Sequence, residues 1–119
     1  MRMAIVDDEI SIRFSLKKFF ELRSFTVDTA ASTAEARKLL SDGIYDVVIL
    51  DIRLVPDTEV DGLDLVGCVR AHSPGARIIV LSGYLSPQTI RRARSLRADL
   101  ILSKPQPLNE LETAIRAIL

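Results

Sequence analysis

Several things are scarce in this sequence, and each scarcity removes a class of protein. Cys68 is the one cysteine among 119 residues, so no internal disulfide can form. No Cys/His pair stands at the spacing of a zinc site. Excess charge of one sign is missing too, with Lys+Arg and Asp+Glu at 16 each. A chain that grips nucleic acid or a membrane surface by bulk charge needs such an excess, so neither direct nucleic-acid binding nor membrane association is expected. No apolar run approaches the length that spans a bilayer. The opening MRMAIVDDE meets an acidic pair after the short run Ala4 to Val6, which does not read as a signal peptide. Neither Gly-rich phosphate loop, GxGxxG or GxxxxGK followed by Ser or Thr, occurs. There is no helix-turn-helix pattern, internal repeat, linker or low-complexity segment. What remains is one soluble domain, expected in the cytoplasm and long enough to bury a core without staples.

What is present is an alternation. Short apolar runs recur at Met3–Val6, Phe25–Val27, Val47–Leu50, Ile78–Leu81 and Leu100–Leu102, each too short for a helix. Between them lie stretches with helical spacing. Residues 10–22 place Ile12, Leu16, Phe19 and Phe20 on one face, and residues 33–41 do the same with Ala36, Leu39 and Leu40 behind a Ser32/Glu35 capping box. Residues 62–71 offer Leu63, Val66 and Val69, or Leu65 and Val69. Residues 87–96 begin with Ser86 as N-cap and Pro87 at the first helical position. Residues 108–118 turn Leu108, Leu111, Ile115 and Ile118 inward. Strands that are apolar throughout are strands buried on both faces, the mark of a parallel sheet between helical layers. With right-handed crossovers, the expected fold is α/β: a flavodoxin-like doubly wound (βα)5 with a five-stranded parallel sheet of order 2-1-3-4-5.

In such a fold ligands bind beyond the carboxyl ends of the strands, so the residue after each run matters. The first run leads into Asp7, Asp8 and Glu9, the third into Asp51, the fourth into Ser82 and the fifth into Lys104–Pro105. The second ends in Asp28 and Thr29, on an edge strand in this order. Strands 1, 3, 4 and 5 are neighbours, so these side chains converge around Asp51. Two carboxylates about 4 Å apart repel by roughly 4 kcal/mol at an effective dielectric near 20. Protons or a cation must relieve that repulsion, and a hard divalent ion such as Mg2+ suits an all-oxygen site. Carboxylates holding a cation beside a lysine form a receptacle for a phosphoryl group, to which the Ser82 hydroxyl could donate. A carboxylate there can itself be the nucleophile, and Asp51 is the candidate.

The motifs IVDDE, VVILD, IIVLSGY and ADLILSKP stand in this order at successive strand ends, with 22 residues from Ser82 to Lys104. In these motifs the chain resembles the receiver domain of bacterial two-component response regulators over nearly its whole length. The resemblance implies that Asp51 is the phospho-acceptor, supplied from a phosphohistidine on a sensor histidine kinase or histidine phosphotransfer protein. It implies that Asp7, Asp8 and Asp51 bind Mg2+ with the backbone carbonyl of Arg53, that Ser82 is the switch hydroxyl, and that Lys104 pairs with the phosphoryl group ahead of a cis Lys104–Pro105 bond. Phosphorylation would shift a two-state equilibrium read by an output domain or partner protein, usually on helix four, strand five and helix five, and a phosphorylation-dependent dimer is compatible with that surface. By this reading the protein is a signalling switch rather than an enzyme, catalysing only its own phosphorylation and dephosphorylation.

Two departures from the family pattern stand out. Ile101 occupies the place of the usual Tyr or Phe whose rotamer reports on the switch hydroxyl, and a β-branched aliphatic cannot swing in the same way. Tyr84 is the nearest aromatic substitute. The stretch from Asp51 to Asp61–Gly62 is longer than usual, with the extra residues within VPDTEV, which is expected to alter water access to the acceptor. The alternatives are a receiver-like interaction module with altered or lost phospho-switching, suggested by Ile101, and an Mg2+-dependent phosphatase with an aspartyl nucleophile, which the D-D-E and D-I-R patterns disfavour. Plainer readings stand beside the functional ones. Asp7 and Asp8 could be N-caps, Asp57 and Glu59 solvated loop charges, Arg91, Arg92, Arg94 and Arg97 a solvated helix face, His72 a complement to its helix dipole, and Cys68 a packing residue.

Overall fold

The computed structural model describes residues 1–51, 59–83 and 85–119, and for residues 59–62 the backbone alone. The chain alternates strand and helix: β1 (Arg2–Val6), α1 (Ile10–Glu21), β2 (Thr26–Ala30), α2 (Thr33–Asp42), β3 (Val47–Asp51), α3 (Glu59–His72), β4 (Arg77–Ser82), α4 (Pro87–Ser95), β5 (Leu100–Ser103) and α5 (Leu108–Ile118). The strands form one parallel sheet in the order β2-β1-β3-β4-β5. This is the expected flavodoxin-like arrangement.

The apolar runs work because each strand feeds two cores. Alternate residues Ala4, Val6, Val48, Leu50, Ile78 and Val80 join Leu40, Leu63, Val66, Val69 and Ala93 from α2, α3 and α4. The intervening Met3, Ile5, Val47, Ile49, Ile79 and Leu81 join Leu16, Phe20, Leu111 and Ile115 from α1 and α5. Side chains of period two on a strand leave no polar face when both sides are covered. In the third helix both candidate apolar sets are buried, since Leu63, Leu65, Val66 and Val69 all lie in the core.

Local signals hold at two helix starts. The Ser32 hydroxyl accepts from the Glu35 amide at 3.2 Å, while the Glu35 carboxylate reaches one residue further back, to the Ala31 amide at 2.7 Å. Ser86 accepts from the Thr89 amide at 3.1 Å, with Pro87 at the first helical position. Several boundaries differ from the sequence-based expectation. The third helix begins at Glu59 rather than at residue 62, so Glu59 is helical and not a loop residue. β2 runs on to Ala30, one residue past the expected end at Asp28 and Thr29, because the outer strand, half open to solvent, admits polar residues within its length. Asp51 and Ser82 are the last residues of β3 and β4, not the first residues beyond them.

Candidate functional site: an acidic pocket bridged by a lysine

The strand register builds the pocket. Val6 pairs with Leu50, which sets Asp7 beside Asp51 at the carboxyl edge of neighbouring strands. Asp51 pairs with Leu81, so Ser82 stands one residue further along β4. Ser82 in turn pairs with Ser103, the residue before Lys104, and the Lys104 amide donates to the Ser82 carbonyl at 2.7 Å. The Lys104–Pro105 bond is cis. Residues far apart in the chain thus meet at one sheet edge, as their positions after the apolar runs foretell.

Carboxylate oxygens of Asp7, Asp8 and Asp51 all lie within 4.8 Å of one another. The Lys104 ammonium bridges two of them, at 2.9 Å from Asp7 Oδ2 and 2.8 Å from Asp51 Oδ2. Asp7 is held from three sides: its Oδ1 accepts from the Glu9 amide at 2.9 Å, its carbonyl accepts from Arg13 Nη1 at 2.8 Å, and its amide donates to the Ala30 carbonyl at 3.1 Å. The side chains of Asp7 and Asp51 are 2% and 4% exposed, whereas Asp8 opens to solvent.

Burial sets the electrostatics. Loss of water pushes the Asp51 carboxyl up to about 6, and the neighbouring Asp7 charge pushes the same way, against the hydrogen bond from Lys104. For Lys104, burial works against the charged form, but hydrogen bonds to Asp51 and Asp7 outweigh it and hold the ammonium above its ordinary value. One ammonium between two buried carboxylates, with a third carboxylate nearby, leaves surplus negative charge. The donor set fits a small hard cation: three carboxylates within reach of one ion, and a solvent-facing side at Asp8 where such an ion could keep its waters. The residues therefore fit Mg2+.

The structure brings together Asp7, Asp8, Asp51 and Lys104 and places Ser82, fully buried, at the same edge. The expected Arg53 carbonyl ligand, Tyr84, Asp57 and the lengthened segment after Asp51 lie outside the described residues. Asp61 and Glu59 belong to α3 by their backbone. Ile101 is partly buried and packs against the α2/α3/α4 core. Sequence reasoning missed Arg13, whose grip on the Asp7 carbonyl carries no motif, and read Glu9 only as part of an acidic run.

Fold and pocket together define a class: a doubly wound α/β domain organised around a lysine-bridged acidic cluster at the carboxyl edge of its sheet. A family model described as the response regulator receiver domain matches residues 3–116, and the chain belongs to that family. It is the receiver domain of a two-component response regulator, a signalling switch. The chain is 34% identical over 115 residues to the photosynthetic apparatus regulatory protein RegA of Cereibacter sphaeroides, covering 97% of this chain and 61% of RegA. It therefore spans less than two thirds of that relative. Among solved structures, a response regulator from Burkholderia pseudomallei with a phosphorylated aspartic acid and a calcium ion aligns with a TM-score of 0.84 at 27% identity, over 98% of this chain and 71% of that one. TrrA of Thermotoga maritima, solved in complex with Mg2+ and BeF, aligns with a TM-score of 0.80 at 33% identity, over 99% and 98%. No helix among the described residues is long and apolar enough to cross a membrane.

Proposed function

We propose that Asp51 is the phospho-acceptor of this receiver, and that Asp7, Asp8 and Asp51 hold the Mg2+ that accompanies the reaction. The observation that carries this reading is the Lys104 bridge between Asp51 and Asp7 inside a carboxylate cluster. In the transfer, the N–P bond of a donor phosphohistidine breaks as a bond forms from an Asp51 carboxylate oxygen to phosphorus, and the electron pair leaves with the imidazole. Bound Mg2+ would offset charge on the phosphoryl oxygens. In this reading Lys104 pairs with the phosphoryl group once Asp51 is an acyl phosphate, and its ammonium, which already spans the gap between Asp51 and Asp7, supports that role. The buried Ser82 hydroxyl serves as the switch group, and exchange of the Lys104 and Ser82 partners is the local event that shifts the domain between states.

The donor is a sensor histidine kinase or a histidine phosphotransfer protein, and the recipient of the signal is an output domain or partner protein, with a phosphorylation-dependent dimer as one form of output. The setting is the cytoplasm, and self-phosphorylation and self-dephosphorylation are the reactions catalysed. The test is incubation with acetyl phosphate and Mg2+. A mass gain of about 80 Da, one phosphoryl increment, is expected for the wild type and is lost in Asp51→Asn. The adduct should survive acid and hydrolyse in base, as an acyl phosphate does. No gain in the wild type overturns the proposal.

A further inference from the structure

The end of α4 that points away from the pocket is fastened by one side chain. Arg70, in the last turn of α3, donates from Nη1 to the Ala76 carbonyl at 2.6 Å, and from Nη2 to the Arg97 carbonyl at 2.5 Å and to Asp99 Oδ2 at 3.2 Å. Its Nε is buried with no partner among the described residues. Asp99 passes the connection on, since its Oδ2 also accepts from the Ile78 amide at 2.7 Å and its own amide donates to the Ile78 carbonyl at 2.8 Å. One guanidinium therefore ties three pieces of chain together: the turn before β4, the left-handed residue just after α4, and the lead into β5.

Arg97 is a special attachment point. It sits in the left-handed region at φ 67°, where glycine is usual. Around it the Ala98 amide donates to the Ala93 carbonyl at 3.1 Å and the Arg97 amide to the Arg94 carbonyl at 2.9 Å, the two bonds of a Schellman turn. A strained residue persists where its surroundings over-determine it, and here the Arg70 grip on its carbonyl supplies the surroundings. Along the body of α4 the tie to α3 is of another kind. Arg92 Nη2 meets Asp64 Oδ1 at 3.6 Å with side chains 40% and 47% exposed, an arrangement that water screens.

We propose that Arg70 is a positioning residue that makes the C-terminal end of α4 a fixed pivot, held more firmly than the body of the helix, whose tie to α3 is the solvent-screened Arg92–Asp64 pair. The planar fork of the arginine sends its bonds from two separate nitrogens in fixed directions, whereas a lysine ammonium is a single point on a flexible stem and does not reproduce that spread. How phosphorylation uses the pivot rests on the assignment of Asp51 above, but the pivot itself is a property of the unmodified domain.

Amide hydrogen exchange on the whole chain, without phosphoryl donor, tests it. In the wild type, protection factors at Leu96 and Ala98 should exceed those at Ile90 and Arg91 at least tenfold. Arg70→Lys should erase that difference, lowering Leu96 and Ala98 at least tenfold while Val48, Ile49 and Leu50 stay within twofold. Arg70→Ala should do the same, and if it fails to fold the lysine variant decides. Equal protection at both ends of α4 in the wild type, or unchanged Leu96 and Ala98 in Arg70→Lys, overturns the pivot. A second arm adds Mg2+ and beryllofluoride. Amide shifts should then concentrate at Ile90 and Arg91 in the wild type and spread to Leu96 and Ala98 in Arg70→Lys, and equal shifts at both ends of the wild type overturn the pivot. If the amides of Asp7, Asp51 and Ser82 do not respond at all, it is the Asp51 assignment that fails, and the exchange data in the unliganded protein decide the pivot on their own.

Discussion

Lys104 Nζ lies 2.8 Å from Asp51 Oδ2 while remaining 2.9 Å from Asp7 Oδ2, so one ammonium holds two buried carboxylates from neighbouring strands. Its removal leaves those carboxylates facing each other without a counterion. Lys104→Met should therefore raise the Asp51 carboxyl further above 6, and the variant should lose more stability at pH 8 than at pH 5. Carbon-13 NMR titration of the side chain with urea melts at the two pH values checks both. A carboxyl that titrates lower in Lys104→Met would contradict the bridge.

The direction of the Asp51 shift sets a pH dependence opposite to the usual one for a carboxylate. Its folded value, about 6, lies above the ordinary 3.8. Between those values the folded state binds more protons than the unfolded chain, so this residue's contribution to stability falls as pH rises through that window and is fully lost above it. At about 1.4 kcal/mol per pH unit, the effect has an upper limit of about 3 kcal/mol. Asp51→Asn removes it, so the stability difference between variant and wild type should grow in the variant's favour from pH 4 to pH 7 without Mg2+. Saturating Mg2+ should shrink that difference, because an ion held by the ionised carboxylate stabilises the wild type alone. A flat difference across the range would count against the shift.

At the opposite edge of the sheet, Tyr45 donates its hydroxyl proton to Asp28 Oδ2 at 2.9 Å, and Arg2 Nη2 reaches the same oxygen at 3.1 Å. Burial, with the Asp28 hydrogen bond behind it, pushes the phenol up to about 12. In an ultraviolet titration Tyr45 should ionise about two pH units later than a free tyrosine, and Tyr45→Phe should remove that late step. Because the folded phenol keeps its proton longer than the unfolded one, stability should fall between pH 10 and 12, and less steeply in the phenylalanine variant. At neutral pH the variant should lose about 1 kcal/mol, the worth of one hydrogen bond.

Ser24 adopts φ 70° where α1 hands over to β2, and the Phe25 amide closes back on the Phe20 carbonyl at 3.1 Å. A side chain in that conformation costs on the order of 1 kcal/mol relative to glycine. Ser24→Gly should accordingly raise stability by roughly 0.5–1 kcal/mol in urea melts at pH 7, after the extra chain entropy of glycine is subtracted. A loss instead would mean that the serine side chain contributes there.

How much of this was legible beforehand depends on the range of the interaction. The Ser32 and Ser86 caps were readable because an N-cap bonds an amide three residues away. The ends of α1 and α4 fell within one residue of 10–22 and 87–96, but the left-handed turns that follow them at Ser24 and Arg97 were not legible, because the usual glycine signal is missing there. The apolar run stops at Val27 and the strand was read to Asp28 and Thr29, yet backbone pairing with β1 carries β2 on to Ala30. For the pocket, Asp7, Asp51, Ser82 and Lys104 were legible together because each follows an apolar run, and parallel strands bring such positions to one edge.

The sequence by itself determined the alternation of strand and helix, the strand order, the family and the membership of the pocket, since apolar periodicity and strand-end residues are local features that parallel topology converts into place. Tertiary structure alone decided which atoms meet: the double grip of Lys104, the raised carboxyl of Asp51, the Arg13 bond to Asp7 and the Arg70 fastening of α4. Those depend on register, burial and side-chain direction between segments distant in the chain. Periodicity says which face a residue occupies, but not which partner waits there or how much water is left.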